Sequence, residues 1–446
     1  MRAILTNFGT LGDVQPFLAL AIEMRRHGHA PVLALSPYFR PRVEELGFDF
    51  VLIGLDLREI QNNVNVAIRE TPDSDARMRE IFSPLMASLP QTFAELTGAC
   101  NAADVLVSGA TQPAARMVHE TSGIPFVSIQ TSHFGGVGSP AIQKASAALI
   151  NPFRFRLGLA PLRDPLTIDS NSPQLAIYAM SRHVRFPQAD WPSHYHITGF
   201  FFLDEDHWRP EPELIDFIES GDRPVIISFG SMTHEDPTEL TNLLLEAVSL
   251  VGCRTIIQRG WSGLGARQLP KSVFAIDYVP YKWLFSHAKC IVHHGGSGTA
   301  GAVFRSGAPS VFVPHGYLHD QAYWAQLGHE LGCAHQPIPL PMLTAGRLAA
   351  AIRSVIESPD YHLNAAALAE RIRSEPGVSS ARYLIEELLR KVEWRRRDLD
   401  SRASKESFEE REQRSALRKR FQHNRRSGKT AQICGDDSPD GANEYK

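Results

Sequence analysis

Short β-branched runs alternate with helix-length segments along this chain, and that alternation restricts its fold more than any other feature. Residues 3–6 predict a buried strand, 14–26 a helix and 32–35 a second strand; strands over 105–108 and 126–129 enclose a helix over roughly 112–121. Such short runs, apolar on both faces, suit the inner strands of a parallel sheet covered by helices on each side. Strand–helix–strand order with short connections makes that sheet doubly wound. Gly28, just past the first helix, predicts its C-terminal stop.

The pattern breaks at "FPQADWPSHYHITGFFFLDEDHWRPEPEL", where prolines at 187, 192, 210 and 212 suit neither a helix interior nor a central strand. A domain linker is expected in or just after this passage. The alternation then resumes, with strands over 225–228, 255–257, 274–276, 291–293 and 311–313 and a helix over about 237–251. At 446 residues the chain exceeds one ordinary core. The expected architecture is therefore α/β, with two Rossmann-like doubly wound domains over 1–205 and 206–392 facing across a cleft, where ligands commonly bind. From 393 to 446 the chain is highly charged with few apolar anchors, which predicts a disordered tail or a solvated helix. A basic patch meeting lipid or nucleic acid is the alternative for the tail, and its interspersed acids weaken it.

Within the second half, "VHHGGSGTAG" (292–301) crowds four glycines, two histidines and two hydroxyl residues between apolar runs. A chain reversal alone needs one or two glycines. A strand ending at 293, a helix over 299–306 stopped by Gly307 and Ser297 at the N-cap together expose backbone N–H groups at a positive helix end. Phosphate binding and tight packing both fit this turn. The P-loop does not, because no Gly-Lys-Ser/Thr follows. Adjacent histidines at a strand end face opposite ways, so one can meet a ligand while the other packs, and a shared metal is not expected.

With its continuation "AVFRSGAPSVFVPHGYLHDQAYWAQLGHELG", this turn resembles the C-terminal signature of nucleotide-sugar glycosyltransferases of the two-Rossmann (GT-B) type. The likeness is to family 1, in the branch of sterol glucosyltransferases and antibiotic glycosyltransferases. "WPSHYHITGFFFLD", "PVIISFGSM" and "GTLGDVQPFLALA" extend the resemblance over about residues 1–390. It implies that His293 contacts the donor diphosphate, with His294 the weaker candidate, and that Gly296, Ser297, Gly298 and Thr299 cradle the phosphates. It further implies Ser231 near the same diphosphate, Val279 at the nucleobase and the pair Asp320 and Gln321 at the sugar hydroxyls. Plant relatives carry a ribose-binding glutamate eight residues after the histidine, where this chain has Gly301.

Asp13 stands directly before an amphipathic helix. By spacing alone it is an N-cap, bonding forward near Gln15. The resemblance implies instead a general base that takes the acceptor hydroxyl's proton. The expected reaction is transfer of a hexose, glucose foremost, from a UDP- or dTDP-sugar to a hydroxyl of a small lipophilic acceptor (sterol, polyketide or other aglycone), with inversion. The nucleotide sugar serves as co-substrate; no cofactor and no metal are expected, and Asp204-Glu205-Asp206 reads as solvated acid in the linker. A sugar-nucleotide epimerase or hydrolase, or a non-catalytic nucleotide-sugar binder, would share this architecture. An NAD(P) oxidoreductase fits poorly: the first loop is Gly9-Thr-Leu-Gly12 and the second strand ends at Ser36 rather than an acid.

A net charge of −3 gives no case for nucleic acid as partner. Transient contact with a membrane surface stays open for the tail, and no protein partner can be inferred. Five scattered cysteines without CxxC spacing fit a reducing, cytoplasmic setting, and neither a membrane span nor a signal peptide is visible. Acceptor choice is expected from loops between about 55 and 170, notably "REIQNNVNVAIRETPDSDARM" and "QTSHFGGVGSPAIQ".

Overall fold

A computed structural model describes residues 1–58, 83–84, 87–132, 140–166, 168–187, 189–232, 234, 236–315, 319–395 and 397. Most of the two quoted acceptor loops, and the tail beyond 397, lie outside the described residues.

The predicted strands form two parallel sheets. The first has seven strands in the order β3-β2-β1-β4-β5-β6-β7: β1 Arg2–Thr6, β2 Ala30–Leu35, β3 Asp49–Leu52, β4 Val105–Gly109, β5 Phe126–Gln130, β6 Leu175–Tyr178 and β7 Tyr195–Ile197. The second has five in the order β10-β9-β8-β11-β12: β8 Val225–Ser228, β9 Thr255–Gln258, β10 Val273–Ile276, β11 Cys290–His293 and β12 Ser310–Phe312. Central β1, β4, β5 and β8 are buried along nearly their whole length, as strands covered on both faces must be. The proline-rich passage holds the short strand β7, which the prolines do not predict. It lies at the sheet edge, beyond Pro192, where a missing N–H costs little.

In each sheet the strand order reverses beside the first strand of that half. β1 lies between β2 and β4, and β8 lies between β9 and β11. Crevices at such reversals, outside the carboxyl ends of the strands, are where doubly wound sheets bind ligands. Residues following β1 and β5 in the first sheet, and β8, β9, β10 and β11 in the second, line a single cleft.

Two further features position that cleft. Helix α1 (Leu11–Arg26) starts three residues earlier than its apolar periodicity predicts and packs Phe17, Leu18 and Met24 into the first core, each fully buried. A helix over 378–395 follows the second sheet in sequence, yet Val378, Ala381, Leu384 and Ile385 join that same first core. His29 bonds Glu386 at 2.8 Å and Arg382 meets Glu23 of α1 at 3.4 Å, which fixes this helix there.

Candidate active site

The first loop of the cleft follows β1. Gly9 has φ +142°, and a Cβ there would sit 2.3 Å from Asp13 Oδ2, so glycine alone lets the loop close onto this carboxylate. Thr10 is the N-cap of α1, which places Asp13 at the third helical position. Its carboxylate reaches back, accepting the Thr10 N–H at 2.7 Å and the Thr10 hydroxyl at 3.1 Å. This corrects the forward-bonding N-cap expectation: the turn at Gly9 brings the helix start ahead of Asp13. Burial pushes the Asp13 pKa up to about 6 against the two Thr10 contacts, and the Asp320 charge adds to the rise.

The glycine turn follows β11. His293, still in register with Ser228 and Phe312 of the neighbouring strands, is fully buried with its ring 4.1 Å from that of Phe312. Neither of its ring nitrogens finds a partner among the described residues. His294, one residue past the strand, turns the opposite way and lines the cleft. His293 itself is not among the residues that line the cleft, where alternation at the strand end places its neighbour. Burial holds both rings neutral, with pKa values pushed down to about 3.

Gly295 has φ +91°, and a Cβ on it would meet the Phe312 ring at 3.0 Å. Gly296, not Ser297, caps the next helix, which runs Ser297–Ser306. The Ser297 hydroxyl is engaged elsewhere, accepting the Trp324 indole N–H at 2.7 Å and donating to Asp320 Oδ2 at 3.2 Å. Gly296 has no side chain to cover the helix end, so first-turn N–H groups open toward the cleft that Ser297, Gly298 and Thr299 line. A Cβ at Gly298 would lie 3.6 Å from the Gly12 Cα, so the N-termini of α1 and of this helix converge on one place. Two positive helix ends meeting there favour an anion.

Asp320 lies over the same point, 6% exposed. Its Oδ2 also accepts the Ser132 hydroxyl at 3.1 Å, from the end of β5 in the other half, and its Oδ1 has no partner among the described residues. Burial raises its pKa against these hydroxyl contacts. Gln321 presents less than its type allows: its Oε1 accepts the His315 N–H at 2.8 Å, and its amide donates toward the Met232 sulfur at 3.4 Å. Ser231 and Val279 complete the set. All the expected residues except His293 thus line one cleft of about 1030 Å³.

Comparison with known proteins places this geometry. Residues 3–134 match the glycosyltransferase family 28 N-terminal domain, and 242–387 match the erythromycin biosynthesis protein CIII-like C-terminal domain. The solved glycotransferase of kitacinnamycin has the same fold, with TM-score 0.67 and 22% identity over 87% of this chain and 99% of that one. A sterol 3-beta-glucosyltransferase of Arabidopsis thaliana is 31% identical over 408 residues, 84% of this chain and 66% of that one. A second plant sterol glucosyltransferase is spanned over 64% of its length. The O-mycaminosyltylonolide 6-deoxyallosyltransferase of Streptomyces fradiae is 30% identical over 420 residues, 87% of this chain and 97% of that one. The chain belongs to the GT-B glycosyltransferases.

Several features of this GT-B cleft were not legible in the sequence. His315 and His234 extend the line of rings behind His294: His315 is 6.1 Å from His294, and its Nε2 lies 3.3 Å from the Nε2 of His234. The His315 Nδ1 donates to the Val313 carbonyl, which can only accept, so in the neutral ring Nε2 is the bare nitrogen. Of the linker acids, Asp204 and Glu205 are not solvated as expected, while Asp206 stays largely exposed. Asp204 takes both Arg305 nitrogens at 2.7 and 2.8 Å and Lys282 at 3.2 Å; Glu205 accepts the Tyr278 hydroxyl and meets Arg42; Asp206 pairs with Lys282 at 3.0 Å. Ser132, at the carboxyl end of a parallel strand, had a recognisable signal in that position alone. Among the described residues no helix is long and apolar enough to cross a membrane.

Proposed function

We propose that this GT-B chain is an inverting glycosyltransferase that moves a hexose, glucose foremost, from a UDP- or dTDP-sugar to a hydroxyl of a small lipophilic acceptor. One observation carries the reading: the Asp13 carboxylate, raised toward neutrality, borders the same cleft as an open helix N-terminus and a buried acid, Asp320, close enough to perturb it. A base and an anion cradle on opposite halves are what single displacement requires.

In the proposed reaction the acceptor oxygen attacks the anomeric carbon from the side opposite the nucleotide. Asp13 takes the hydroxyl proton as the new C–O bond forms, help that amounts to about 10²–10⁴-fold for a well-placed base. The bond from the anomeric carbon to the phosphate oxygen breaks, and its electron pair stays on the departing diphosphate. The N–H groups around Ser297, Gly298 and Thr299, with His294 and Ser231, are already aimed at that growing charge. Asp320 Oδ1 and the remaining Gln321 N–H hold sugar hydroxyls, and Val279 the base through its backbone. The scheme calls on no metal.

The reading favours a transferase over an epimerase or hydrolase because Asp13 sits in the half that does not carry the glycine turn, where a second substrate enters. A small lipophilic acceptor is supported by relatives named sterol 3-beta-glucosyltransferase and O-mycaminosyltylonolide 6-deoxyallosyltransferase. A cytoplasmic setting is supported by Cys100, Cys253, Cys290 and Cys333 being free among the described residues. The test is product formation from UDP- and dTDP-glucose with a panel of sterol and polyketide acceptors, with and without EDTA. Acceptor-dependent, EDTA-insensitive transfer with inverted linkage supports the reading; donor consumption that needs no acceptor defeats it.

A further inference from the structure

Asp204 is the acid of the linker whose carboxylate faces the cleft while being held rigidly. Arg305 grips both its oxygens at 2.7 and 2.8 Å and Lys282 adds a contact at 3.2 Å, yet its side chain keeps 30% exposure. Glu205 is committed to Tyr278 and Arg42, and Asp206 points largely to solvent at 65% exposure. Burial works against the charge on Asp204, but Arg305 and Lys282 outweigh it and hold the carboxyl below its ordinary range.

Its placement is set by the helix that begins at the glycine turn. Side chains on a helix lean toward its N-terminus, so Arg305 carries the Asp204 carboxylate back toward Ala302, a small residue that also lines the cleft. From Gly298 to Ala302 the helix rises about 6 Å, roughly the distance from a nucleotide's diphosphate to its ribose hydroxyls. On the other side Lys282 lies in the helix Tyr281–Ser286, which begins just after the Tyr278–Val279 loop. The carboxylate therefore stands between the phosphate turn and the loop assigned to the base.

We propose that Asp204 accepts the ribose 2′-hydroxyl of the donor nucleotide, so that this chain selects ribonucleotide over 2′-deoxyribonucleotide donors. The inference rests on the nucleotide-sugar reading above. An acid that receives ribose hydroxyls is a general device of nucleotide-binding doubly wound folds; here the interdomain linker supplies it, pre-aimed by cations from two C-terminal helices. A fixed, ionised carboxylate can accept a hydrogen bond from a hydroxyl without reorganising.

The test compares dissociation constants of UDP with 2′-deoxy-UDP, and of ribothymidine diphosphate with dTDP, on the full chain and on D204N and E205Q. The wild type is expected to prefer the ribo form by roughly tenfold or more, the scale of one hydrogen bond to a charged group. D204N should bring that ratio to near one with the deoxy affinities unchanged, and E205Q should keep it. A wild-type ratio near one overturns the proposal without any variant, as does a D204N ratio equal to wild type. If no diphosphate of either pair binds, the nucleotide-sugar reading itself falls and takes this proposal with it.

Discussion

The Ser132 hydroxyl, at the end of a strand in the first sheet, donates at 3.1 Å to the buried carboxylate of Asp320 from the second half. The two residues are 188 positions apart, and their contact joins the acceptor side of the cleft to the acid over the helix end. Removing it should loosen Asp320 without moving Asp13. Ser132→Ala is expected to raise the donor KM by about tenfold or more, the lower end of what a charged hydrogen bond contributes, and to leave the acceptor KM nearly unchanged. Steady-state kinetics with each substrate varied in turn checks this; equal changes in both constants would remove the assigned role.

Asp13 should impose an acid limb on the pH profile. Its carboxyl titrates at about 6, so kcat/KM is expected to fall tenfold per unit as pH drops below that value. The Asp320 charge contributes to the rise, so Asp320→Asn should move the limb to lower pH even while it weakens donor binding. A limb that stays in place in that variant would show the two carboxylates to be uncoupled.

The same shift has a stability consequence of definite sign. The pKa in the folded chain lies above the ordinary 3.8, so ionising Asp13 disfavours the folded state. That contribution is fully favourable below about pH 4 and is lost as pH rises through 6. Asp13→Asn removes the dependence, and an asparagine oxygen can still accept the Thr10 N–H. Melting curves should show the variant gaining on the wild type between pH 4 and 6, with a constant lead above; transfer should drop by about 10²-fold or more.

The two histidines of the turn should separate cleanly. His294→Ala is expected to reduce transfer by about 10²-fold, as loss of one donor aimed at developing charge does elsewhere. His293→Leu replaces a buried ring whose nitrogens are unpartnered among the described residues, so activity and melting temperature should stay near wild type or the latter rise. The reverse pattern would return the diphosphate contact to His293.

Gly296→Ala tests the turn sterically. Its Cβ would lie 2.5 Å from the His294 Nε2, so the ring must move. Loss of nucleotide affinity, read by titration calorimetry, is expected with the fold retained by circular dichroism; unchanged affinity would mean the His294 ring does not position the phosphate.

Much of this cleft was written locally. Strand and helix periods specify which side chains are buried, and short connections specify parallel order, so two doubly wound sheets follow from patterns a few residues long. The glycine turn, Ser231, Val279, Asp320 and Gln321 all sit at strand ends or helix starts, where such sheets keep their ligand groups, and the resemblance named each of them. Helix starts were less legible, because the Gly9 turn and the Gly296 cap shift α1 and the Ser297 helix ahead of their apolar stripes.

What only the tertiary structure decided are relationships between separately formed elements. Periodicity says that His293 and His294 face opposite ways, but the position of Phe312 in the neighbouring strand decides which ring packs away from the cleft. Composition makes Asp204 a solvated linker acid, and the helix bearing Arg305, docked beside the linker, makes it a clamped one. The segment 378–389 is amphipathic wherever it lies; the first core, with His29 waiting for Glu386, determines its seat. Local sequence sets the face each residue presents, whereas its partner depends on how separately formed layers dock, and that is a property of the assembled chain.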